Sequence, residues 1–123
     1  MKEDQVVYTS TENKEYWSEE GCHILEIINN DKTKLLSIAR ARVGPGMRTR
    51  LHALEGTTEV YYILSGQGEA NIDGLRYQVE TGDCVYIQPS QDQSITNTGD
   101  EELTFLCVCH PRFEQRNYQD TEG

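Results

Sequence analysis

Gly46-Met47-Arg48-Thr49-Arg50-Leu51-His52-Ala53-Leu54-Glu55-Gly56-Thr57-Thr58-Glu59-Val60-Tyr61-Tyr62-Ile63-Leu64-Ser65-Gly66 is the stretch on which the reading of this chain turns. It contains two short runs, Arg48–Leu54 and Thr58–Leu64, that read as strands punctuated by glycine. A strand alternates its side chains between two faces, so Arg48, Arg50, His52 and Leu54 fall on one side of the first run. In the second, Glu59, Tyr61 and Ile63 share a face and Tyr62 takes the other. One imidazole and one carboxylate thus arrive close together in an otherwise apolar context.

Working outward, the same texture continues. His23–Ile28, Leu35–Val43, Gly68–Ile72, Leu75–Val79, Cys84–Ile87, Ser94–Asn97 and Leu103–Cys109 are further candidate strands. Asn29-Asn30-Asp31 and Asp73-Gly74 suit hairpin turns, because Asn, Asp and Gly tolerate positive φ. Gly44-Pro45-Gly46, Gly66-Gln67-Gly68, Thr81-Gly82-Asp83 and Gly99-Asp100 break the remaining runs, and Pro111 stops the last one. Apart from a turn near Tyr16–Glu20, no window of helical length has a helical period. Many short strands at close spacing predict an all-β sandwich or barrel. The polar ends, residues 1–5 and about 113–123, read as surface tails around one domain spanning 1–123, with its core at about 20–111.

Composition narrows the partners. The chain has 123 residues, a net charge of -10, and 26% charged residues, a globular profile. An acidic surface repels phosphate backbones and anionic lipids, so neither nucleic acid nor membrane is expected as a partner. No run approaches the roughly 20 apolar residues of a membrane span, and the polar start Met1-Lys2-Glu3-Asp4-Gln5 has no apolar signal core, which predicts a cytoplasmic protein. Cys22, Cys84, Cys107 and Cys109 then read as reduced thiols, with no Cys-x-x-Cys pattern among them. Cys107 and Cys109 share one face of their strand with Leu103 and Phe105, where core packing is the simpler reading than a metal site.

Two spaced motifs resemble those of the cupins. Gly46, five residues, His52-Ala53-Leu54, four residues, Glu59, six residues and Gly66 follow the first cupin motif, with Leu54 where the family has a second His. Gly82, five residues, Gln88-Pro89-Ser90, two residues, Gln93, three residues and Asn97 follow the second, with Gln93 where the family has a third His and Ser90 where it has Gly. The resemblance implies a double-stranded β-helix, the cupin jelly-roll barrel, commonly a homodimer. It leaves the reaction open, because this fold hosts oxygenases, isomerases, epimerases, lyases, storage proteins and sugar-binding sensors.

In metal-binding cupins, three His and one Glu hold a divalent ion. The matching positions here are His52, Leu54, Glu59 and Gln93, so the metal ligands implied are His52, Glu59 and Gln93, around one divalent ion or none. The metal-free alternative has His52, Glu59 and Gln93 pairing with one another in a polar pocket. His23 and His110 have no spaced partner and read as ordinary surface or packing residues.

Arg50, His52 and Gln93 are the expected ligand-binding residues, with Arg50 either an anchor for a carboxylate or phosphate or paired, like Arg48, with a surface or dimer-interface acid, and Arg48 otherwise at the mouth. Tyr61 and Glu59 are the candidate proton-moving groups. Two functions follow. One is a metal-dependent isomerase, lyase or oxygenase acting on a small polar or anionic molecule. The other is a metal-free, non-catalytic ligand-binding or structural dimeric module.

Overall fold

A computed structural model describes residues 5–123. Most of the expected N-terminal tail, residues 1–4, lies outside the described residues. Among those described, the chain forms eleven strands: β1 (Tyr16–Ser18), β2 (Cys22–Ile28), β3 (Ser37–Val43), β4 (His52–Leu54), β5 (Thr58–Ser65), β6 (Gln67–Ile72), β7 (Leu75–Glu80), β8 (Cys84–Ile87), β9 (Gln93–Asn97), β10 (Leu103–His110) and β11 (Tyr118–Asp120). One-turn 3-10 helices at Glu12–Lys14 and Gln115–Asn117 complete them. No helix of the described residues is long and apolar enough to cross a membrane.

The strands make two sheets. One runs β1-β2-β3-β10-β5-β8 and the other β11-β4-β9-β6-β7. This is an all-β double-stranded β-helix, but it is not the closed barrel that the sequence suggested. Each sheet ends in free edge strands, β1 and β8 in one, β11 and β7 in the other. The sheets meet through side chains and not through a continuous ladder. The chain passes between them along irregular segments, 44–51 and 88–92, which contain Pro45 and Pro89. Proline has no N–H to extend a ladder across such a corner.

Local chemistry sets the tightest turns. Asp73 (φ 51°) and Gly74 (φ 83°) both take the left-handed region and join β6 to β7 with Ile72 opposite Leu75. Gly66 (φ 90°) has a second reason to be glycine: a Cβ there would sit 2.7 Å from the Glu102 carbonyl oxygen.

Register fixes what faces inward. Across the six-stranded sheet, Ala41, Phe105 and Ile63 form one inward row; Ala39, Cys107, Tyr61 and Val85 form the next; Ser37, Cys109, Glu59 and Ile87 form the third. In the facing sheet Ala70 lies beside Ile95, and Ile72, Gln93 and His52 stand in one line. Val43, Ile63, Ala70, Ile95 and Leu103 are fully buried and close one end of the space between the sheets.

The segments read as tails and turn were partly misread. Tyr16–Ser18 is a strand paired with β2, the expected turn follows it at residues 19–21, where the Gly21 N–H donates to the Ser18 carbonyl at 3.0 Å, and a one-turn helix precedes it at Glu12–Lys14. Tyr118–Asp120 pairs with Leu54, Ala53 and His52, so the C-terminal segment is the edge strand of the second sheet.

Candidate functional site

At the other end the sheets enclose a cavity of about 610 Å³. It exists because β3 and β10 present small side chains there: Ser37, Ala39 and Ala41 on one, Cys107 and Cys109 on the other. The opposing strand β4 is three residues long and covers little of the gap. The inward face of β10, undecided in the sequence, is the one carrying Phe105, Cys107 and Cys109.

His52, Glu59, Tyr61 and Gln93 lie on neighbouring inward positions of the two sheets, and all four are buried. The Tyr61 hydroxyl donates to Gln93 Oε1. Gln93 is the register partner of His52. The Nδ1 of His52 lies 2.8 Å from the Arg50 carbonyl oxygen. A carbonyl can only accept, so Nδ1 carries the proton and Nε2 is left as the nitrogen without a hydrogen bond among the described residues. The ring stacks on Tyr118, with centroids 5.0 Å apart.

Glu59 is the unusual member. It is 6% exposed, and its Oε1 has no hydrogen-bond partner among the described residues. Burial, and then the negative charge of Glu20, push its carboxyl up to about 8; Gln93, Cys109 and Cys107 pull it back only in part. Burial also raises Glu20, partly offset by His52. The Tyr61 phenol is raised by burial and then by Glu59. Burial likewise pushes the Cys22 thiol up to about 12 and raises Cys107 and Cys109, so the three thiols facing the cavity are protonated and unreactive.

The expected arginine anchor borders the cavity but is already paired there. Residues 48–51 are not regular strand, so the predicted alternation fails there: Thr49 is buried and accepts from the Ile95 N–H at 3.0 Å, while Arg48 and Arg50 are exposed. Arg50 pairs with Asp120 at 2.8 Å and Arg48 with Glu122 at 3.0 Å, which ties the C-terminal strand beside the cavity mouth.

The metal-binding expectation also needs correction. Among the described residues no group of three or more His, Cys, Asp or Glu side chains is placed to hold an ion. The chemistry explains this. Leu54 offers no donor, the Gln93 oxygen is occupied by Tyr61, and only one imidazole nitrogen and Glu59 remain. The donor set does not fit the ion that the family motif holds.

Three participants were missed. Glu20, Tyr118 and Asp120 all line the cavity. Glu20 and Tyr118 carry no motif. The only signal for β11 was a short alternation, Tyr118-Gln119-Asp120, inside a polar tail.

Comparison with known proteins agrees with this architecture. The cupin domain family matches residues 39–109. The chain is similar to an uncharacterized protein of Methanocaldococcus jannaschii, 34% identical over 111 residues, covering 89% of this chain and 86% of that one. It is similar to the oxalate-binding protein of Thermotoga maritima, 37% identical over 91 residues, covering 72% and 73%. A crystal structure described as a predicted oxalate decarboxylase from Thermotoga maritima superposes with a TM-score of 0.72 at 27% identity, covering 85% of this chain and 93% of that one.

Proposed function

The chain belongs to the cupin domain family, and from that premise we propose that it is a metal-independent, non-catalytic module that binds a small polar molecule between its sheets. The observation that carries this reading is Glu59. A buried carboxyl with an unpartnered oxygen, on a residue lining a cavity of about 610 Å³, is unfavourable for the fold alone and is relieved by a ligand that hydrogen-bonds to it. The volume suits a small metabolite. Reaction chemistry has less support: the Tyr61 hydroxyl already donates to Gln93, and the cavity thiols are held protonated. The similarity to an oxalate-binding protein supports a binding role and makes oxalate the first ligand to try.

Calorimetric titration in the presence of a chelator, with oxalate and a panel of small polar molecules, tests this. At least one should bind with an affinity that the chelator leaves unchanged. Binding that appears only when a divalent ion is supplied would contradict the reading. A homodimer belongs to the same proposal. It is supported by the exposed Tyr62 and Tyr86 on the outer side of β5 and β8, at a free sheet edge. A monomer mass by light scattering at high protein concentration would refute it.

A further inference from the structure

The charge of the cavity wall carries an inference about what enters it. This rests on the binding-module reading and goes beyond it by naming a ligand class. Five carboxyls line the space: Glu19, Glu20, Glu26, Glu59 and Asp120. Arg50 is the one guanidinium or ammonium among the described lining residues, and it is already paired with Asp120. His52 is the one imidazole of the lining, so an incoming anion would meet five carboxyls against a paired guanidinium and a single imidazole. Glu59 adds the independent pointer, because it is a buried residue of the cavity lining whose Oε1 has no hydrogen-bond partner among the described residues. Aromatic rings are the other notable component. Tyr16, Trp17 and Tyr118 stand on the wall, the first two of them exposed. Carboxylates together with aromatic faces are the surroundings in which an organic ammonium is most favourably held, by charge on one side and ring quadrupoles on the other.

We propose that the cavity takes a small amine-bearing molecule, its ammonium directed to Glu59 and Glu20 and its hydrocarbon body against the rings of the mouth. A cation placed there also relieves the mutual repulsion of Glu59 and Glu20, which His52 offsets only in part.

A matched series tests the charge directly: benzylamine, benzyl alcohol and benzoate share one ring and differ in the head group, and oxalate is added as the small-acid arm. Trp17 is the only tryptophan and lies on the cavity wall, so its fluorescence reports occupancy. Benzylamine should bind at least about tenfold more tightly than benzoate at neutral pH. Glu59→Gln should weaken benzylamine by about tenfold and leave benzyl alcohol within about twofold; Glu20→Gln, at a half-buried position, should shift benzylamine in the same direction by less. Tighter binding of benzoate or oxalate than of benzylamine overturns the amine class while the binding module stands. An amine affinity unchanged in both variants overturns it too. If none of the four binds, the amine class falls, and the binding module is decided by the calorimetric panel.

Discussion

The two ends of the space between the sheets are built from the same strands and differ in almost everything else. Along β10, Leu103 and Phe105 give way to Cys107 and Cys109; along β5, Ile63 gives way to Tyr61 and Glu59; along β9, Ile95 gives way to Gln93. The first member of each series is large, apolar and buried, and the second is smaller or polar and borders the cavity or its polar floor. Each end also contains a buried polar side chain. Asn97, at the closed end, donates to the Val43 and Glu101 carbonyls at 2.9 and 2.7 Å and accepts from the Gly99 N–H at 2.9 Å. Glu59, at the open end, leaves Oε1 unpartnered. A satisfied buried polar group serves the fold, whereas an unsatisfied one on a residue of a cavity wall is free to pair with whatever enters the cavity.

The largest loss should come from the closed end. Ile95→Ala removes a fully buried side chain from a well-packed layer and should lower stability by about 3 kcal/mol in equilibrium denaturation, with no separate effect on ligand affinity. Asn97→Ala leaves two carbonyls and one N–H without their partner and should cost about 2 kcal/mol. If either change leaves stability unaltered, the closed end is not the part that holds the fold together. The open end should respond in the opposite sense. Ala39→Leu places a larger side chain into existing space, so its effect on stability should stay below about 1 kcal/mol while ligand binding is lost. A large destabilisation there would mean that the cavity is already filled or rigid.

Much of this division was legible in the sequence, because it depends on period and spacing. The Gly46–Gly66 stretch gave β4, β5 and the meeting of His52, Glu59 and Tyr61, and Gln93 fell beside His52 through the second motif. What failed depended on backbone detail that composition does not encode. Arg50 was assigned inward on the assumption of an unbroken strand, but the chain becomes regular only at His52; Arg50 reaches the cavity lining all the same, as an exposed residue paired with Asp120. Sheet closure was overestimated because a strand list carries no information on which edges meet. β11 was invisible because three residues in a polar tail form a strand only through pairing with β4.

The central claim is that Glu59 is kept for a ligand at the expense of the fold, and pH-dependent unfolding of Glu59→Gln tests it most directly. The Glu59 carboxyl is raised from 4.5 to about 8 in the folded chain. Below the lower value the group is protonated in both states and nothing is lost. As pH rises toward the higher value the unfolded chain releases the proton and the folded chain retains it, so wild-type stability declines and then levels off. Glutamine does not titrate. The advantage of the variant over wild type, measured without ligand, should therefore grow by about 1.4 kcal/mol per pH unit across that window, approaching about 3 kcal/mol near pH 7. A stability difference that is independent of pH, or a variant less stable than wild type at pH 7, would show that Glu59 supports the fold and would contradict the account.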